Sequence, residues 1–270
     1  MSGYNGGDYL EADFHNHLNI SQGNAKAGCL QTNIQDDIKM IRALIFDFDG
    51  LILETEEPVF QSWHELYESF GCHLPFDRWS KQIGTMDSQY DPLAELEKQL
   101  GRALQNREEL AKKRLRRELD LIYTTPVQPG VKEYLEAAKR LGLKIGLASS
   151  SSCQWVTDHL SRLGLIGYFD CIKAADDVER VKPDPRLYFL VLGELQTKAD
   201  ETLAFEDSPP GILAAKRAGL FCVAVPNAMT KNLPLNQADI LLNSLAEMPL
   251  EALLQKVEAH KTAQNYRNPP

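Results

Sequence analysis

Asp47 and Asp49, one phenylalanine apart, close the apolar run Ala43-Leu44-Ile45-Phe46 and stand directly before Gly50. The run is short, continuous and bounded by Gly, which fits a strand buried on both faces. Folding then places two carboxylates at the carboxyl end of that strand, where α/β sheets build their sites. Such a pair can hold a hard cation through oxygen, or one member can attack an electrophile while the other moves a proton. Aspartate has no ordinary packing role in such a place. Three more polar groups end apolar runs: Ser149 after Lys144-Ile145-Gly146-Leu147-Ala148, Lys182 before Pro183, and Glu206-Asp207 after Thr202-Leu203-Ala204-Phe205. The set suits phosphoryl transfer. A carboxylate attacks phosphorus, a carboxyl serves the leaving oxygen, hydroxyl and lysine bind phosphate oxygens, and the remaining acids hold Mg²⁺.

Converging these groups requires a parallel sheet, in which all carboxyl ends of the strands share one edge. The chain supplies the pattern. Buried strands alternate with amphipathic helices from Arg42 onward: a helix from Glu57 to Phe70, then the strands above, a short strand near Cys171 to Ala174, and a strand from Phe221 to Val225. Repeated βα units imply right-handed crossovers and an α/β class. One region departs from the alternation. After the first strand, helical patterns at 57–70, 92–100 and 107–122 follow one another without a comparable strand signal, which reads as a helical module inserted into the sheet domain. Pro129-Gly130 marks the return.

The expected organisation is a flexible extension over residues 1–40, an α/β core over 41–55 and 127–255, a helical insert over 56–126, and a flexible tail over 256–270. With 270 residues, 43% of them hydrophobic, the chain is long enough for a core domain carrying a smaller one. A net charge of -9 argues against a nucleic-acid partner. Five scattered cysteines without a CxxC pair point to reduced thiols and a cytoplasmic setting. No apolar stretch approaches the length of a membrane span, so no membrane partner is expected. His15-Asn16-His17 has no helix or strand context and reads as a solvated pair rather than a metal site. The basic stretch Lys112 to Arg117 reads as the solvated face of a helix whose packing face is Leu115, Leu119 and Ile122.

The four motifs, in order, resemble those of the haloacid dehalogenase superfamily, in its subgroup of sugar-phosphate phosphatases and β-phosphoglucomutase-like enzymes. The stretches are Asp47-Phe48-Asp49-Gly50-Leu51-Ile52-Leu53-Glu54-Thr55-Glu56, Leu147-Ala148-Ser149, Lys182-Pro183-Asp184-Pro185 and Phe205-Glu206-Asp207-Ser208-Pro209-Pro210-Gly211. The likeness spans roughly residues 41–250. It implies a Rossmann-like core with a helical cap, Asp47 as nucleophile and Asp49 as general acid/base. It also implies phosphate binding by Ser149, Ser150, Lys182 and Gly50, and Mg²⁺ held by Asp47, the backbone carbonyl of Asp49, Glu206 and Asp207. The implied substrate is a small phosphorylated metabolite, and the implied assembly a monomer or weak homodimer.

A mutase on the same fold must hold a second phosphate with cationic cap groups. Where β-phosphoglucomutases carry a hinge histidine, a cap lysine before glycine and an arginine, this chain aligns Val59, Ile83 and Asp87, which argues against mutase activity. A dehalogenase does not need the second acid, Asp49. A catalytically silent binding protein would be expected to lack a motif acid, and none is missing.

Overall fold

The computed structural model describes residues 41–83 and 90–267, with side chains as far as 263. The 1–40 extension, with its His15/His17 pair, and the segment carrying Asp87 lie outside the described residues. Among those described, β1 (Ala43–Phe46) is followed by α1 (Glu56–Ser69), α2 (Phe76–Trp79), α3 (Pro92–Leu100), α4 (Arg107–Thr124) and α5 (Val131–Arg140). Then β2 (Lys144–Ala148), α6 (Cys153–Arg162), β3 (Cys171–Lys173), α7 (Arg186–Leu195) and β4 (Thr202–Glu206) follow. The chain continues through α8 (Pro209–Arg217), β5 (Phe221–Ala224), β6 (Ile240–Leu241) and α9 (Leu250–Arg267).

The strands form one parallel sheet in the order β3-β2-β1-β4-β5-β6. β1 pairs with β2 on one side and β4 on the other, Phe46 standing level with Leu147 and Phe205. The chain first builds outward through β2 and β3, then returns to the far side of β1 with β4. That reversal opens a crevice at the carboxyl ends of β1 and β4.

Successive residues of each strand alternate between two cores. Leu44, Phe46, Leu147, Leu203, Phe205 and Val223 pack against α5, α6 and α9. Ala43, Ile45, Ala204, Cys222 and Ala224 pack against α7 and α8. Small residues on the second face let α7 lie close. A Cβ on Gly146 would stand 2.3 Å from Val191 Cγ1. The stacked rings of Phe46 and Phe205, 4.8 Å apart and 13° from parallel, tie the two central strands together beneath the crevice.

Helices α1 to α4 bury a cluster of their own, including Leu66, Tyr67, Leu74, Trp79, Ile83, Leu93 and Leu96. Phe60, Trp63 and Tyr67 of α1 pack on this cluster. Asp91 starts α3 by accepting the Leu93 and Ala94 amides at 2.9 and 3.2 Å, with Pro92 at the first helical position.

Two expectations are corrected. The stretch from 256 is not a free tail: α9 runs to Arg267, and Val257 is fully buried with Leu250 and Leu253. Their spacing of three and four residues makes one apolar stripe that covers the sheet. In α4, Leu115 is 44% exposed rather than packed, and Arg114 is largely buried in an ion pair with Glu118. The helix turns that side toward the site.

Candidate active site

The crevice collects the groups that end β1 and β4. The Asp47 amide donates to the Phe205 carbonyl at 3.0 Å, extending the β1–β4 ladder by one residue. The pairing puts the Asp47 carboxylate beside Glu206 and Asp207. Each of the three offers an oxygen within 4.8 Å of the others, and all are buried. Lys182, in the loop before α7, reaches into this group. Its Nζ lies 2.5 Å from Asp47 Oδ1 and 2.6 Å from Glu206 Oε1. The Tyr188 hydroxyl donates to the same Glu206 oxygen, and the Tyr188 ring lies beneath the ammonium, 5.4 Å from ring centroid to Nζ.

Three buried carboxylates facing one lysine leave an excess of negative charge. Burial pushes Asp47 up to about 7; the Lys182 charge opposes it, while Glu206 and Asp49 push the same way. Asp207 is raised well above the ordinary range by burial, then by the charges of Asp47 and Glu206. For Lys182 burial acts downward, yet the charges of Asp47 and Glu206 outweigh it and hold the ammonium charged. Among the described residues, Glu206 Oε2 is buried with no hydrogen-bond partner. An orphaned carboxylate oxygen beside two repelling carboxylates fits a hard divalent cation such as Mg²⁺, which takes oxygen ligands.

Asp49 is held by hydroxyl and indole donors. Its Oδ1 accepts from Thr55 Oγ1 at 2.8 Å and Trp155 Nε1 at 3.0 Å; its Oδ2 accepts from Ser151 Oγ at 2.6 Å and Ser149 Oγ at 3.4 Å. Ser149, expected as a phosphate ligand, is therefore turned to Asp49. Ser150 lines the cavity, with its hydroxyl buried and unpartnered among the described residues. Ser152 caps α6 by accepting the Trp155 amide at 3.3 Å.

Gly50, expected to bind phosphate, lies in the turn after β1 beside Asp207 and Asn227. Its backbone has φ of +80°, and a Cβ there would stand 2.3 Å from Asp207 Oδ2 and 2.5 Å from Asn227 Nδ2. Only glycine allows that turn to pass so close to Asp207. Gly211 does the same beneath Glu206, where a Cβ would lie 1.8 Å from Oε2.

The cavity measures about 360 Å³ and is lined from below by Asp47, Asp49, Ser150, Ser151, Trp155 and Lys182. Helices α1 and α4 supply Val59, Leu115 and Glu118 from above. Thr55, Trp155, Tyr188, Asn227 and Glu118 were not anticipated. Thr55 and Tyr188 stand inside or beside quoted motifs, but nothing local marks Trp155, Asn227 or Glu118, because their partners are far away in sequence.

Residues 44–225 match the haloacid dehalogenase-like hydrolase family. The chain belongs to that family. YhcW of Bacillus subtilis, a phosphatase by name, is 49% identical over 226 residues, covering 84% of this chain and 100% of that protein. The phosphorylated carbohydrates phosphatase of Thermotoga maritima is 33% identical over 182 residues, 67% of this chain and 82% of that one. The solved structure of CbbY from Rhodobacter sphaeroides in complex with xylulose-(1,5)bisphosphate superposes with a TM-score of 0.62 at 28% identity, covering 79% of this chain and 99% of that one. The parallel sheet and order of motifs expected from the sequence are those of this family.

The raised Asp47 gives a pH test. A carboxyl whose value is higher folded than unfolded binds its proton more tightly in the native state. Its ionisation therefore costs stability in full above about 7, and the cost fades as pH falls toward 3.8. In metal-free protein, wild type should lose stability relative to Asp47→Asn as pH rises through that window. Urea unfolding of both proteins at several pH values checks this, and a pH-independent difference would refute it.

Proposed function

We propose that the protein is a Mg²⁺-dependent phosphatase of a small phosphorylated metabolite, a sugar phosphate by preference, working through an aspartyl-phosphate on Asp47. The observation that carries this reading is the meeting of Asp47, Lys182, Glu206 and Asp207 at one end of the crevice, with Asp49 facing the same cavity. An Asp47 oxygen bonds to phosphorus as the bond from phosphorus to the leaving oxygen breaks, and the Asp49 carboxyl gives its proton to that oxygen. Water then bonds to phosphorus, Asp49 takes back a proton, and the bond to Asp47 breaks to release phosphate. Lys182 and the free hydroxyl of Ser150 suit the phosphate oxygens, with Ser149 acting through Asp49. Asp47, the Asp49 carbonyl, Glu206 and Asp207 would hold Mg²⁺, which supplies charge neutralisation when bound.

Residues 56–126 form the cap in this reading, and 41–55 with 127–255 the core. The cap excludes water during attack by Asp47. The names of the phosphatase relatives support the reaction class. Free cysteines at 72, 153, 171 and 222 are consistent with a cytoplasmic setting. Among the described residues, no helix is long and apolar enough to cross a membrane. Mutase activity has less support, because Val59 lines the cavity where a hinge histidine is needed and Ile83 is buried in the cap's apolar cluster.

Hydrolysis of p-nitrophenyl phosphate with and without Mg²⁺ tests the reading. Activity should require the metal, and Asp207→Ala should raise the half-saturating Mg²⁺ concentration at least about tenfold. An unchanged half-saturating concentration would move the ligand role elsewhere.

A further inference from the structure

The upper wall of the cavity carries a charge arrangement that none of the four motifs contains. Glu56, Val59, Leu115 and Glu118 face the space above Asp47. Glu118 is only 7% exposed and ion-pairs with Arg114 one helical turn earlier. That guanidinium is pinned in turn. It donates to Ser62 Oγ at 3.3 Å and stacks over Trp63 at 4.6 Å. Glu118, and not Arg114, lines the cavity. Among the described lining residues Lys182 is the one lysine or arginine, and it is engaged by Asp47 and Glu206.

Beyond the phosphate position, a substrate therefore meets the carboxylate of Glu118 and the apolar side chains of Val59 and Leu115. A neutral hydroxylated group can donate a hydrogen bond to Glu118 and lay its carbon face on Val59 and Leu115. A second phosphate would be pressed against like charge in a partly desolvated space, which is costly.

We propose that Glu118 is a specificity-determining residue: it accepts a hydroxyl of the leaving alcohol and, by occupying Arg114, shuts out substrates that carry a second phosphate. This rests on the phosphatase reading and adds the substrate class, monophosphates of small uncharged polyols or sugars. The CbbY structure holds a bisphosphate, a substrate type that this chain should exclude.

Binding and turnover test it separately. Calorimetric titration of Asp47→Asn protein in Mg²⁺, with fructose 6-phosphate and fructose 1,6-bisphosphate as probes, reads preference without hydrolysis; kcat/KM for the same pair reads it in the active protein. The monophosphate should be preferred with Glu118 in place. Glu118→Gln frees Arg114 and should shift the ratio toward the bisphosphate at least about tenfold. Arg114→Gln leaves the carboxylate and removes the cation, so it should shift the ratio the other way. Glu118→Asp, which keeps the charge, should keep the preference and serves if the Gln variant does not fold. A ratio unmoved within about twofold in Glu118→Gln, a wild-type preference for the bisphosphate, or both position-114 and position-118 Gln variants moving the ratio alike would overturn the proposal. Absence of all hydrolysis with the binding ratio still shifting would sink the phosphatase reading and leave the Glu118 assignment standing. Hydrolysis without any shift would do the reverse.

Discussion

Asp47→Asn should lower kcat at least about a hundredfold, nearly 3 kcal/mol on the scale of tenfold per 1.36 kcal/mol, while the protein stays folded. An amide cannot form the acyl phosphate, and nothing else at the end of β1 can replace it, since both Asp49 oxygens are bound by hydroxyl and indole donors. The fold should survive because asparagine has the same shape and removes one of three crowded buried carboxylates. Unfolding of metal-free protein at pH 8 should show the variant at least as stable as wild type. Single-turnover hydrolysis of a phosphomonoester measures the chemical step. Retention of more than about a hundredth of the rate would remove Asp47 as nucleophile, whatever the metal dependence.

Lys182→Met should be the most disruptive single change to the site, acting on stability and on catalysis together. Nζ bridges Asp47 and Glu206 from a side chain that is 2% exposed, so removing it leaves two buried carboxylates without their cation. Breaking a buried pair from one side costs roughly 3–5 kcal/mol, because the remaining charge is stranded. Tyr188 would still donate to Glu206, which limits the loss on that side. The penalty should be largest at pH 8 and shrink as pH falls, because Asp47, raised by burial, then takes up its proton. Mg²⁺ should restore part of the stability by supplying positive charge at the same place. Urea unfolding at pH 8 and pH 5, with and without Mg²⁺, distinguishes this from loss of packing alone. A penalty independent of both pH and metal would mean that Lys182 is held for its carbon chain rather than its charge.

The carboxylates could be read from the sequence because they follow buried strands, and strand ends in a parallel sheet must lie on one edge. Asp47, Asp49, Glu206 and Asp207 were legible for that reason, whereas Lys182 reaches the site from the loop before α7 and not from a strand end. The division of labour at the site was not legible. Ser149 and Ser150 are neighbours of the same type, and only the turn into α6 decides that one hydroxyl holds Asp49 while the other faces the cavity. Gly50 signals a special backbone position, but its reason, the approach of Asp207 and Asn227, lies far along the chain.

Helix periodicity shows an equal limit. The repeat in α4 identified a helix, and its position was right, yet Leu115 was assigned to packing when it lines the cavity. A helix with one apolar stripe and a buried ion pair can present either side to its neighbour, and the choice depends on how α1 and α4 meet. At the other end, the tail expected from 256 takes in Val257, which continues the stripe of Leu250 and Leu253 against the sheet.

Local sequence by itself determined the alternation of strands and helices and the carboxylates at the strand ends. Those features depend on apolar runs, their periods and the turns between them, all set by near neighbours in the chain. Tertiary structure alone decided that Trp155 and Thr55 steady Asp49, that Tyr188 and Lys182 share Glu206, and that Glu118 rather than Arg114 faces the cavity. The physical reason is the same in each case. Hydrogen bonds and charge pairs at the site join residues brought together by strand register and helix packing, and side-chain chemistry at one position carries no record of the partner it will meet.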